Sequence, residues 1–298
     1  MGQKKHTVRF YSILLALTLL IFGYTLYLCL RPQPVSSKEE SSSGSSMSSG
    51  VSEEKPPSES SSGPVSDGRI GGTDLPWWSM EEENVDNLDP DKPIVALTFD
   101  DGPSQYTKRI VDTLTEYNSK ATFFVMGYRL EEYGENTLYA FNHGMEIGNH
   151  SYSHKQFVGL NQHSINQQMN DTNKLIKDLT GKEPRLYRPP YGRINQMILS
   201  KIPMAAILWN VDPQDGKAYD AQEIVDNVME DVKDGSIILL HDVYEKTADA
   251  LDILLPKLIE EGYQVTNVSQ MFACRGEPIE INQKYYFLTD MKAVNCTY

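Results

Sequence analysis

The chain has 298 residues and carries 41 Asp and Glu against 27 Lys and Arg, a formal net charge of −14. That balance excludes a nucleic-acid binder, which needs a basic face to neutralise phosphates. The length suits one large domain with extensions.

The first predicted element is apolar. Lys4, Lys5 and Arg9 precede Tyr11–Leu30, a stretch without a charge. Its twenty or so residues would span roughly 30 Å as a helix, the thickness of a bilayer core. We read residues 1–30 as a cytoplasmic tip and an uncleaved single-pass transmembrane anchor, which places the rest of the chain outside the cell. A cleaved signal peptide is the rival reading, but the stretch is long for one and no small-x-small site follows. Residues 31–66 are mostly Ser, Glu, Gly and Pro, as in KEESSSGSSMSSG, and read as a disordered linker with a reach of about 30–35 Å. Residues 67–91 lead into the domain; Trp77 and Trp78 there read as packing residues, with a sugar platform or an interfacial anchor as alternatives. None of the three cysteines stands in a CxxC pattern. Cys274 and Cys296 could pair in an extracellular domain, closing a loop of roughly 20 residues.

From residue 92 the pattern alternates. Short apolar runs at 94–99, 121–125, 145–147, 186–188, 205–209, 236–240 and 263–266 predict strands. Amphipathic stretches between them predict helices: one carrying Val111, Leu114 and Tyr117, one over Ile165–Leu179 and one over Ile253–Ile259. Seven strand–helix units in roughly 180 residues imply a parallel sheet, closed or nearly closed into an α/β barrel, with an open doubly wound sheet as the alternative. Residues 276–298 form a C-terminal extension in which PIEINQKYYFL could make a short strand pair.

Polar residues end these runs. The first ends in Asp100-Asp101, the third leads to His150 and His154, and the fourth to Arg188, Pro190 and Tyr191. The fifth is followed by Asp212 and Asp215, and the sixth ends in His241-Asp242. In a parallel α/β barrel the strand C-termini form the active face, so five runs deliver titratable groups to one rim. Singly, each has a bland reading: a turn, a surface histidine pair, a satisfied core histidine, a structural ion pair. Two imidazoles and a carboxylate make a three-ligand site that suits zinc or another divalent transition metal. Such a metal acidifies water and polarises a carbonyl. A second carboxylate as base and a histidine as acid complete a site for hydrolysing an amide or ester.

The ordered motifs TFDDGPS, HSYSH, RPPYG, WNVDPQD and ILLHD resemble the five motifs of the NodB-homology polysaccharide deacetylases, carbohydrate esterase family 4. The resemblance covers about residues 92–275 and implies a distorted (β/α)7 barrel. It implies Asp100 as catalytic base, Asp101, His150 and His154 as metal ligands, and Arg188 as the partner of Asp100. It implies His241 as general acid held by Asp215, and the Tyr191 backbone N–H as part of an oxyanion hole. Pro190, Tyr191 and Leu239 would line the substrate pocket, Leu239 against the acetyl methyl. The family usually carries an aromatic where this chain has Gly216; a neighbour such as Tyr219 is expected to replace it.

With its anchor and linker, the chain resembles in particular the peptidoglycan N-acetylglucosamine deacetylases of Gram-positive bacteria. The implied activity is metal-dependent N-deacetylation of cell-wall glycan by a monomer, with Zn2+ expected and Co2+, Ni2+ or Mn2+ admissible. The alternatives are an O-acetyl esterase on xylan or another glycan, and a wall-binding protein that has lost catalysis.

Overall fold

The computed structural model describes residue 85 and residues 87–288. The expected anchor, the linker, Trp77, Trp78 and Cys296 lie outside the described residues. Among the described residues no helix is long and apolar enough to cross a membrane.

All seven predicted runs form strands: β1 (Ile94–Asp100), β2 (Thr122–Val125), β3 (Glu146–Asn149), β4 (Leu186–Tyr187), β5 (Ala205–Ile207), β6 (Ile237–His241) and β7 (Gln264–Thr266). The helices between and after them are α1 (Thr107–Glu116), α2 (Gly127–Asn142), α3 (Gln162–Thr180), α4 (Gln196–Leu199), α5 (Ala221–Asp231), α6 (Glu245–Glu260) and α7 (Val268–Cys274). An eighth strand, β8 (Lys284–Tyr285), comes from the C-terminal extension.

β1 shows why the strands read as unbroken apolar runs: every one of its residues is buried, because both faces of the sheet are covered. Val95, Leu97 and Phe99 point outward to a cluster with Ile110 and Leu114 of α1 and Leu251 and Leu254 of α6. Ile94 and Ala96 point inward to Phe124, Ile207 and Ile237. Thr98 and Asp100 continue that inward face by the period of two.

The sheet runs β6-β1-β2-β3-β4-β5-β8, and its named pairs are parallel. It curls into a half-barrel and departs from the expected sevenfold ring in two ways. β7 pairs with the first half of β1, Ile94 to Ala96, instead of extending the circle. β8 adds to β5 rather than forming a strand pair of its own. Only two isolated bridges, Val211 with Ile238 and Ser236 with Phe287, link the two ends of the sheet among the described residues. The physical reason is shortness: β4 and β5 have two and three residues, too few to carry a regular ladder around to β6.

Register sets the site. Asp100 pairs with His241 on one side and Phe124 on the other. Asn149 pairs with Tyr187, which brings the following residues, His150 and Arg188, to the same rim.

Candidate active site

Asp100 ends β1, and Asp101 follows with φ 70°, in the left-handed region. Extended-strand alternation would send the two carboxylates to opposite faces; this turn instead brings both to the site. Positive φ recurs at Ser151, His154 and Tyr191, so strained backbone gathers around the same rim.

His150 is buried, and its Nδ1–H donates to the Arg188 carbonyl at 2.7 Å. A carbonyl only accepts, so this bond puts a proton on Nδ1 and turns Nε2 toward the carboxylates. Burial alone would lower the His150 pKa, but the charges of Asp100 and Asp101 raise it. That Nε2 lies 3.6 Å from Asp100 Oδ2 and 3.5 Å from Asp101 Oδ1. His154 Nε2 lies 3.5 Å from the same Asp101 oxygen. Asn149 orders the intervening turn by accepting from the Ser151 N–H at 2.6 Å.

These residues fit a cation. One ligand atom from each of Asp101, His150 and His154 falls within 4.8 Å of the others. Asp101 Oδ1 is buried with no hydrogen-bond partner, an unpaired acceptor that a metal would satisfy. Ligands about 2.1 Å from a tetrahedral zinc stand roughly 3.4 Å apart, close to the spacing between this oxygen and the two imidazoles. Burial alone would raise the Asp101 pKa, but His150 beside it, with the charges of His154 and His241, brings it down to about 2. Burial and the neighbouring His150 lower His154, which favours the neutral form that ligation requires.

Arg188 is fully buried. Its Nη1 donates to Asp100 Oδ1 at 2.7 Å and to Thr98 Oγ1 at 2.8 Å. Its Nε and Nη2 donate to the carbonyls of Ile207 and Leu208 at 2.9 and 3.0 Å. Its guanidinium also stacks 4.4 Å from the Phe124 ring centroid and 5.4 Å from that of Trp209. A charge with no access to water is therefore paired and hydrogen-bonded.

On the other side, His241 Nδ1–H donates to Asp215 Oδ1 at 2.7 Å. Asp215 is itself fixed by the His241 N–H, the Gly216 N–H and the Thr247 hydroxyl. Burial works against the imidazolium, but the hydrogen bond and charge of Asp215, with Asp100 and Asp101 beyond, push the His241 pKa up to about 9.

The seven residues expected to act on water, metal and leaving group thus meet at one rim. Leu239, two before His241, shares its inward face. Pro190 is buried, whereas Tyr191 is 61% exposed with its ring edge-on to His154 at 4.5 Å. Asp212 does not join them; it is exposed and accepts from the Gln214 N–H. Nor does Tyr219 replace a side chain at position 216, because it is 92% exposed. That space holds the ring of Tyr244: a Cβ built on Gly216 would lie 3.2 Å from the Tyr244 hydroxyl oxygen. Thr98, Trp209, Tyr244 and Thr247 were not legible as site residues. Only Thr98 had a signal, two residues before Asp100 on the inward face.

A polysaccharide deacetylase family model matches residues 87–205. The chain is 43% identical over 187 residues to peptidoglycan-N-acetylmuramic acid deacetylase PdaC of Bacillus subtilis, covering 62% of this chain and 40% of that protein. The solved PdaC structure superposes with a TM-score of 0.62, at 43% identity, over 63% of this chain and 94% of that one. A peptidoglycan-N-acetylglucosamine deacetylase of Bacillus cereus is 35% identical over 61% of this chain and 69% of its own. A family 4 acetyl xylan esterase from Clostridium thermocellum, solved with a cobalt ion, has a TM-score of 0.62 at 33% identity over 65% and 98%. This chain belongs to the polysaccharide deacetylases, the NodB-type carbohydrate esterases of family 4. It spans about two fifths of the length of PdaC.

Proposed function

We propose that the domain removes N-acetyl groups from N-acetylglucosamine units of peptidoglycan. The observation that carries this reading is one cluster, Asp101, His150 and His154, flanked by Asp100–Arg188 on one side and His241–Asp215 on the other. The cluster would hold a divalent ion, Zn2+ first and Co2+, Ni2+ or Mn2+ as alternatives. When bound, that ion supplies Lewis-acid polarisation and acidifies water.

The chain's own residues divide the remaining work. Asp100, oriented by Arg188, accepts the proton of the attacking water. The Tyr191 N–H faces the oxygen that gains charge, and Leu239 and Pro190 line the acetyl pocket. His241, kept protonated by Asp215, gives its proton to the departing nitrogen. Asp100→Asn and His241→Ala domains should then release almost no acetate from peptidoglycan while retaining metal. Wild-type turnover in either sinks the mechanism.

Mass spectrometry of treated muropeptides locates the free amine, and separates the glucosamine reading from the muramic-acid activity named for PdaC. The similarity to an acetyl xylan esterase favours a second reading, O-deacetylation, and acetylated xylan assayed beside wall glycan decides it. We also propose that residues 11–30 anchor the chain in the cell membrane with the domain outside. Membrane fractionation of the full chain and of one lacking residues 1–30 tests this.

A further inference from the structure

The space beside the acid is filled from an unexpected direction. Gly216 follows Asp215, the residue that holds His241, so a side chain there would border the acid. Its φ lies outside the left-handed region, so the φ angle does not itself demand glycine. What occupies the space is Tyr244, three residues beyond His241, at the N-cap of α6. A Cβ on Gly216 would meet the Tyr244 Oη, Cε2 and Cζ atoms at 3.2, 3.3 and 3.4 Å. The ring stands edge-on to His241 with centroids 6.0 Å apart.

The ring is held in place. Lys246 Nζ donates to the Ala218 carbonyl at 2.7 Å and the Gly216 carbonyl at 3.3 Å, and lies 5.7 Å from the Tyr244 ring centroid. One lysine thereby ties the 216–218 loop to the start of α6 and flanks the aromatic between them. Yet Tyr244 keeps 37% of its surface exposed, which a packing residue in that position would not need. Burial raises its hydroxyl pKa, and the charges of Asp215 and Asp101 add to the rise.

We propose that Tyr244 is the aromatic wall of the sugar pocket, its exposed ring packing on the acetamido-hexose whose nitrogen His241 protonates. This rests on the deacetylase reading above. The ring therefore sets affinity for the glycan and leaves the acyl chemistry to the groups already assigned.

The test uses the full chain, a chitooligosaccharide and 4-nitrophenyl acetate, an ester too small to need the wall. Removing a stacked ring should weaken glycan binding by roughly 5–10-fold. Tyr244→Ala should thus raise both KM and the calorimetric Kd for the oligosaccharide by that factor, with kcat nearly unchanged and 4-nitrophenyl acetate hydrolysis at the wild-type rate. Tyr244→Phe should keep wild-type affinity. Gly216→Trp alone should impair binding, because it collides with Tyr244, whereas Gly216→Trp combined with Tyr244→Ala should restore it. Unchanged glycan affinity in Tyr244→Ala overturns the proposal, as does equal loss on both substrates or a double variant no better than Tyr244→Ala. Affinity is read apart from turnover. A wild-type chain that binds the oligosaccharide but releases no acetate from it or from peptidoglycan overturns the deacetylase reading and leaves the wall to the Kd series; one that neither binds nor releases acetate overturns both.

Discussion

Arg188 and Asp215 each fix one side chain of the proposed catalytic set by removing its alternatives. Asp100 is almost fully buried, and Arg188 is its charge partner. Arg188→Met would leave that carboxylate unpaired in the interior, at a cost of about 3–5 kcal/mol, measurable by urea denaturation. Asp215 acts through the pKa of His241. An acid must be protonated to donate, so wild-type kcat/KM should hold up to about pH 9 and fall above it. In Asp215→Asn the largest cause of the rise is gone while burial remains, so the alkaline limb should move to lower pH. Stability follows the same sign: the folded pKa is raised, so the contribution is full below the ordinary 6.5 and is lost as pH rises through about 9. Most of these residues were legible because each directly follows or ends an apolar run. Tyr244 was not, because the space it fills belongs to a glycine distant in sequence, and an absent side chain gives no signal of what takes its place.

At the scale of elements, the β1–α1 connection is the tightest part of the site. A Cβ on Gly102 would lie 2.1 Å from Asp242 Oδ1. Asp242 is buried, which pushes its pKa up to about 7, and its carboxylate and carbonyl accept from the hydroxyls of Thr107 and Ser104. The end of β6, the start of α1 and the loop bearing Asp101 are thereby locked together. Gly102→Ala forces them apart, and overpacking of this kind costs about 1–3 kcal/mol. Because Asp101 adjoins the displaced glycine, metal affinity measured by titration should fall together with Tm. The strands themselves were legible because burial on both faces makes a parallel strand a continuous apolar run, and each run became a strand. The pairing was less so: β7 beside β1 and β8 beside β5 depend on which short edge is open, and two-residue strands leave almost no periodic trace.

For the whole molecule, a metal that binds only the folded chain stabilises it by mass action. At a free concentration a hundred times Kd the gain is about 2.7 kcal/mol. Chelation should therefore lower the wild-type Tm by roughly 5–10 °C for a domain of this size, and leave Asp101→Ala unmoved. Calorimetry with and without chelator checks this.

Arg188 also governs the order in which competence is acquired. Its hydrogen-bond acceptors come from β1 and from the end of β5, while its own carbonyl accepts from Nδ1 of His150 after β3. A refolding chain cannot complete this knot until segments distant in sequence have docked. Acetate release should thus recover only with the last phase of refolding, never ahead of it, so that catalytic activity reports completed assembly of the sheet.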